Sequence, residues 1–146
     1  MKFFKSSILL SLMVILVSFQ SDEKIKADFK KGQILINKTP WSTYEHTGSK
    51  YFIKTMEGKE YLILTELEYG KGEYWDNGRE KMHYYSEVKF ATDGMDAFEV
   101  DLYKKDCIEN IYKSNILVND VFSPEAALEF KRKFEDKVSE RRFKTK

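Results

Sequence analysis

The middle of the chain alternates apolar and polar residues, which is the pattern of strands that bury one face. Between residues 83 and 90 the even-numbered residues, ending in Val88 and Phe90, share one face, and the odd-numbered residues share the other. The next run places Phe98 and Val100 on one face, with acidic residues between and after them. We therefore expect the two runs to be neighbouring strands whose apolar faces form one core.

Short turns that contain glycine separate the β-rich runs. The Asn77-Gly78 pair is a strong turn signal, because both residue types tolerate the positive φ of a tight hairpin. The predicted strands lie at residues 33–37, 51–55, 61–67, 83–90 and 97–103, and the turns at 56–60, 76–78 and 92–95. These segments predict an antiparallel meander of about five strands. We expect a charged extension at residues 22–32, and a loop or irregular strand at 41–49.

Helical spacing replaces alternation after the last of these runs. Cys107, Ile108 and Ile111 recur as one face of a short helix, which Asp106 is expected to cap. The brief apolar run that follows, at residues 116–118, is expected to be an extended link.

A long C-terminal helix is the last predicted element. Ser123 is a good N-cap, and Pro124 suits the first helical position because its missing N–H costs little there. The apolar stripe that follows consists of Ala126, Phe130, Phe134 and Val138. The predicted fold is therefore α+β: the meander, a short helix and a long C-terminal helix packed on the sheet.

The first 21 residues have the features of a secretory signal peptide. Lys2 and Lys5 precede an uncharged run of twelve residues, 8–19. A membrane-spanning helix needs about 20 apolar residues, so this run favours a signal peptide instead. Cleavage is expected between Ser18 and Ser21. Residues 22–146 then form a single globular domain that is exported to the periplasm or the cell exterior, and only the uncleaved chain contacts the membrane.

The charge balance and the cysteine content narrow the functional classes. Removal of the signal peptide lowers the basic residues from 25 to 23 against 24 acidic residues. This balance argues against a nucleic-acid-binding protein, which would be basic over the whole domain. Cys107 is the only cysteine, so no intrachain disulfide can form. The thiol either pairs with a second chain or, as we favour, lies buried as a small apolar residue.

No catalytic, cofactor-binding or metal-binding motif is recognisable in the sequence. The two histidines, His46 and His83, lie far apart, and with a single cysteine they do not specify a zinc site. His83 shares a predicted strand face with Tyr85 and Glu87, which makes that face a candidate site. A solvated polar face of the sheet explains the same pattern, and we favour that interpretation.

The aromatic segment at residues 69–85 is the best candidate for a binding surface. Its candidate contact residues are Tyr74, Trp75, His83 and Tyr85. Aromatic rings of this kind stack on sugars, line apolar grooves or dominate protein interfaces. The same rings would also form cross-strand pairs on the outer face of the sheet, and we favour that interpretation.

In several features the chain resembles small exported proteins of unknown function from Bacteroidetes-type bacteria. These features are the Lys-rich and Pro-poor composition, the short signal, residues 31–36 (KGQILI) and residues 116–134. The resemblance implies an envelope or secreted location, and it carries over no active site.

The leading hypothesis is a non-enzymatic binding or structural module of the envelope, without a cofactor. Its partner would be an unknown envelope or extracellular protein or glycan, and the protein would be a monomer or a weak dimer. One alternative is a small secreted hydrolase that uses His83 or His46 with a carboxylate in a concave pocket. Another is a dimeric interaction protein whose association depends on Cys107.

Overall fold

The computed structural model describes residues 24–141, so the signal peptide predicted for residues 1–21 lies outside the described part. Seven antiparallel strands form one sheet, in which each strand pairs with the next along the chain. The strands are β1 (Ala27–Lys30), β2 (Gln33–Ile36), β3 (Thr39–Thr47), β4 (Lys50–Lys54), β5 (Glu60–Tyr74), β6 (Glu80–Phe90) and β7 (Phe98–Val100). A separate two-stranded pair consists of β8 (Leu117–Val118) and β9 (Val121–Phe122).

Three helices follow the seventh strand within the described residues. They are α1 (Lys104–Lys113), α2 (Pro124–Phe134) and α3 (Val138–Arg141). The predicted α+β class and the antiparallel sheet are confirmed, but the main sheet has seven strands instead of about five. No helix within residues 24–141 has both the length and the apolar composition that a membrane crossing needs.

The core lies between one face of the sheet and the helices α1 and α2. Val88 pairs with Phe98 on one side and with Leu64 on the other, which confirms that the two alternating runs are neighbours. Phe130 of α2 packs edge-on against Phe90, with ring centroids 5.8 Å apart. These side chains are at most 4% exposed and belong to one hydrophobic cluster, so the described chain is a single domain.

The short helix packs as its spacing predicts. Cys107, Ile108 and Ile111 are the buried residues of α1. The predicted cap is wrong, because Asp106 lies inside the first turn and the N-cap is Tyr103, whose side chain makes no capping hydrogen bond. The acidic residue still lies where the helix dipole favours a negative charge.

The C-terminal helix begins as predicted but ends early. Ser123 Oγ accepts a hydrogen bond from the backbone N–H three residues later, at 3.2 Å. The helix ends at Phe134, and Glu135 is extended (ψ 128°) and forms a β-bridge with Val100. The reason is that β7 is an edge strand, whose open backbone groups this segment satisfies. The apolar stripe therefore reaches Val138 through a break and the four-residue α3.

The alternation pattern misses the strand β1 and does not decide between a loop and a strand at β3. β1 lies in the charged extension, yet Ala27 is fully buried and pairs with Ile36. β3 occupies the segment that was expected to be a loop or an irregular strand, and the strand alternative is confirmed. Its Pro40 lies opposite Leu35, where the register between β2 and β3 shifts, and such irregularities tolerate proline. β3 also brings Trp41 against the core.

Candidate functional site

β5 and β6 continue beyond the strands that flank them. β4 pairs with β5 only as far as Thr65, and one further hydrogen bond joins Glu66 N to Ser49 O. On the other side, the pairing of β6 with β7 stops at Ser86, and the β6 residues between Ser86 and the tip do not pair with β7. Residues 66–85 therefore form a two-stranded ribbon with neither edge paired to another described strand. We call this ribbon the arm.

A tight turn closes the tip of the arm. Trp75 N donates a hydrogen bond to Arg79 O at 2.8 Å, and Gly78 N donates to Trp75 O at 2.9 Å. Of the turn residues only Gly78 has positive φ, at 82°, so Asn77 does not adopt the left-handed conformation that the Asn-Gly pair favours. Tyr74 and Trp75 are 63% and 59% exposed. The tip therefore presents both rings to solvent.

A bulge shapes the outer half of the arm. Residues 71–73 of β5 lie opposite the single residue Lys81 of β6. Glu80 Oε1 accepts a hydrogen bond from Gly72 N at 3.1 Å. The same carboxylate lies against the α-carbon of Gly70, where any larger side chain would displace it. Both glycines therefore belong to an irregular strand and not to a loop.

An aromatic strip follows one face of the arm. The His83 ring lies 5.1 Å from Tyr69 across the ribbon and 6.5 Å from Tyr85, to which it is almost parallel. Lys81 shares this face, since it is two residues from His83, and its Nζ lies 4.6 Å from the centre of the Trp75 ring. The strip links the exposed tip to the base, where Tyr85 is only 8% exposed.

His83 has a carboxylate partner on the same face. Its Nε2 lies 2.6 Å from Asp101 Oδ1, just beyond the end of β7. Arg141 of α3 donates to the other Asp101 oxygen at 3.0 Å and also contacts Asp136 at 3.1 Å. The carboxylate is therefore held by two groups and in turn orients the imidazole. A histidine oriented in this way can exchange a proton or donate a hydrogen bond to a ligand.

The other candidate histidine lies apart from the arm. His46 is an exposed residue of β3 whose ring stacks on Tyr51, with centroids 5.3 Å apart. Four clefts of about 350 to 550 Å³ open on the described surface, and neither His46 nor His83 lines any of these four. No group of three or more His, Cys, Asp or Glu side chains among residues 24–141 is placed to bind a metal ion.

The single cysteine is inaccessible. Cys107 is fully buried on the core face of α1. Burial raises the pKa of its thiol well above the ordinary value near 9, and the nearby Asp106 carboxylate acts in the same direction. The structure agrees with the buried-thiol interpretation. A disulfide to a second chain would require α1 to move away from the core.

The four sequence-predicted site residues all lie on the arm, but they do not form one patch. Tyr74 and Trp75 lie at the exposed tip. His83 lies midway, with 27% of its side chain exposed, and Tyr85 lies at the nearly buried base. Only His83 and Tyr85 contact each other directly through their rings.

The sequence reasoning missed two residues of the polar contact at His83. The sequence did contain a signal for the contact of His83 with Asp101. Asp101 occupies the polar face of the run that was predicted to lie next to the strand of His83. Arg141 follows 40 residues later and reaches Asp101 only because the C-terminal helix breaks. No periodicity in the sequence indicates that break.

The chain matches no family model, no curated protein and no solved structure. The resemblance to exported proteins of Bacteroidetes-type bacteria therefore stays a prediction, and function has to be argued from the arm itself.

Proposed function

We propose that this protein is an exported, non-enzymatic binding module of the cell envelope and that the arm is its contact surface. The observation that carries the proposal is the exposure of Tyr74 and Trp75 at the end of a ribbon that extends beyond its sheet. Trp and Tyr are the residues that most often dominate binding energy at interfaces. The partner is an envelope or extracellular protein or a glycan.

The construction of the arm supports this role. An isolated two-stranded ribbon is at best marginally stable in water, so the arm adds little to folding. Rings at its tip cannot pack into the core that the helices cover. A partner that contacts the tip would bury both rings.

Capture of envelope material tests the proposal. Immobilised residues 22–146 are incubated with the solubilised envelope fraction of the source organism, and the bound material is identified. The Tyr74→Ala/Trp75→Ala double variant is expected to lose at least about 90% of capture. Its circular dichroism spectrum should match the wild type. Protease or periodate treatment of the fraction distinguishes a protein partner from a glycan.

A matched control changes exposed apolar residues away from the arm. Met56 and Val121 are 46% and 67% exposed, so a Met56→Ala/Val121→Ala variant also removes exposed apolar surface. This control is expected to keep full capture. Equal loss of capture in both variants, or unfolding of the tip variant, would overturn the proposal.

The exported location has a test of its own. N-terminal sequencing of the protein from fractionated cells should find it outside the cytoplasm, beginning within residues 19–22. A full-length chain that remains in the cytoplasm would contradict the location and leave the binding experiment unaffected.

A second candidate function is a small secreted hydrolase, which one distance favours: His83 Nε2 lies 2.6 Å from Asp101 Oδ1. A general base held by a carboxylate is a recurring arrangement in hydrolases. A panel of nitrophenyl esters and glycosides would be cleaved by the wild type, and His83→Gln would abolish the cleavage. A wild type that cleaves none of the panel, or a fully active His83→Gln variant, counts against this candidate.

A further inference from the structure

A cleft opens at the base of the arm, on the face opposite the aromatic strip. Its volume is about 550 Å³, and its lining includes Ser49, Glu66, Glu68, Tyr84 and Tyr103. The faces differ because neighbouring strand residues point to opposite sides, so Tyr84 lies on the other side from His83 and Tyr85. The cleft shares Glu66, Glu68 and Tyr84 with the arm, but it is separate from the aromatic strip and from the tip rings of Tyr74 and Trp75 that carry the proposed function.

Two tyrosine rings form one wall of this cleft. Tyr84 is 50% exposed and Tyr103 is 47% exposed, and their rings meet edge to face with centroids 6.0 Å apart. Ring faces carry negative potential and attract ammonium and guanidinium groups. The wall therefore favours a cationic side chain.

The two glutamates of the cleft differ in their partners. Glu66 lies 3.4 Å from Lys104 Nζ, which also donates to the Tyr51 hydroxyl at 2.9 Å. Burial alone would lower the pKa of Lys104, but the Tyr51 hydrogen bond and the Glu66 charge outweigh it and raise that pKa. Lys104 therefore stays charged and neutralises Glu66. The exposed Glu68 side chain has no ion pair or hydrogen bond with another described residue, so the cleft keeps one uncompensated negative charge.

The cleft borders a free strand edge of β5. The last hydrogen bond from the β4 side joins Glu66 N to Ser49 O at 2.9 Å, and the bulge at residues 71–73 interrupts the edge further out. Between them, residues 67–70 of β5 have no described strand on that side. An open edge of this kind is the template for β-strand addition by an extended peptide.

We propose that an extended peptide with Lys or Arg at alternate positions adds to this edge and places a basic side chain in the cleft. Side chains alternate between the two faces of a strand, so every second one faces the cleft. There it meets the Glu68 carboxylate and the rings of Tyr84 and Tyr103. Opposite charges across neighbouring strands are favourable, whereas an acidic peptide would face Glu68 with a like charge.

Fluorescence anisotropy with a labelled Thr-Lys-Thr-Lys-Thr-Lys-Thr peptide tests the basic-pocket part of the proposal. Glu68→Gln and Tyr84→Ala are each expected to weaken binding to residues 22–146 by about three- to ten-fold. Tyr84→Phe keeps the ring and should stay within about two-fold. The matched control is Glu60→Gln, which removes the same charge from the other end of β5 and should leave the affinity unchanged.

Two N-methylated peptides test strand addition. Backbone N–H groups of a strand point alternately to its two edges, so methylation at every Lys and methylation at every Thr block opposite edges. One version is expected to lose binding by at least about ten-fold, and the other to keep it. The peptide with Glu in place of Lys should not bind. The Tyr74→Ala/Trp75→Ala variant should bind like the wild type, which separates this proposal from the proposed function.

Three results would overturn the inference. They are no wild-type binding of the lysine peptide, an equal effect of Glu60→Gln and Glu68→Gln, and equal affinity of the two N-methylated peptides. The second result would indicate non-specific charge attraction. The third would indicate that the peptide does not pair with the edge.

Discussion

The same two strands, β5 and β6, have opposite environments at their two ends. At the base, Leu64 and Val88 pair and are fully buried, because β4, β7 and the helices surround them. At the tip, Tyr74 and Trp75 are 63% and 59% exposed, because no described strand continues alongside. The difference shows that alternation decides which face a residue occupies, whereas the neighbouring elements decide whether that face is buried.

Two residues on one face of β6 make the same point over a short distance. Val88 and Tyr84 are four residues apart and share the face toward the helices, yet they are 0% and 50% exposed. The sheet gains its stability from the first kind of position. The second kind is available for contact with another molecule.

The largest difference in stability is expected between truncating an aromatic side chain in the core and truncating one at the tip of the arm. Phe130 is 1% exposed and contacts Phe90, Phe98 and Phe134, so Phe130→Ala should lower the free energy of unfolding by about 3–5 kcal/mol. Trp75→Ala should change it by at most about 1 kcal/mol. Urea denaturation of both variants measures the contrast, and similar losses would mean that the tip is part of the core.

A smaller loss of stability is expected when a buried hydrogen bond between hydroxyl groups of β3 and β5 is removed. Ser42 Oγ and Tyr61 Oη lie 2.7 Å apart, and both residues are at most 1% exposed. Tyr61→Phe leaves the serine hydroxyl unpartnered and should cost about 1–3 kcal/mol in urea unfolding. A Ser42→Ala/Tyr61→Phe variant should recover most of that loss. No recovery in the double variant would show that packing, and not the hydrogen bond, is responsible.

Alkaline pH should lower the stability of the hydrophobic core, because the core contains the buried thiol of Cys107. Burial raises the pKa of Cys107, so above the ordinary value near 9 the unfolded chain releases this proton while the folded chain keeps it. The unfolded state then binds fewer protons, and stability falls as pH rises, by at most about 1.4 kcal/mol per pH unit. Unfolding of the wild type and of Cys107→Ala between pH 8 and pH 10 measures the slope. A slope that is identical in the two proteins would contradict this account.

The smallest effect is expected inside the arm. Gly70→Ala would push the flexible Glu80 carboxylate aside and loosen its hydrogen bond to Gly72 N. Because these groups are exposed, the free energy of unfolding should change by less than about 1 kcal/mol. Amide hydrogen exchange should nevertheless become faster in the arm and stay unchanged at the base. Faster exchange at the base as well would show that the two regions unfold together.

Local signals in the sequence predicted much of the base. Alternation identified the apolar face of β6 that ends in Phe90, and it identified the strand of Phe98 as the neighbour of β6. The prediction succeeded because the apolar faces of both strands are buried. Ser123 and Pro124 predicted the start of α2, since an N-cap depends only on adjacent residues. These features require no knowledge of distant parts of the chain.

The remaining features depend on long-range contacts. Ala27 is buried within a charged segment because β2 and α1 flank it: it pairs with Ile36, and Glu109 accepts its N–H at 3.0 Å. α2 ends at Phe134 because the open edge of β7 pairs with the next residue. Tyr85 lies on the more polar face by alternation and is still only 8% exposed. The sequence identifies the segment that contains the candidate residues of the arm. It does not predict their exposure, because exposure depends on where β4 and β7 end beside the arm.

The most direct test measures capture and stability on the same preparation of the Tyr74→Ala/Trp75→Ala variant. If the arm is a contact surface that the core does not need, capture of envelope material is lost while the free energy of unfolding stays within about 1 kcal/mol of the wild type. Retained capture, or a loss of several kcal/mol in urea unfolding, would contradict the division between a stabilising base and a binding tip.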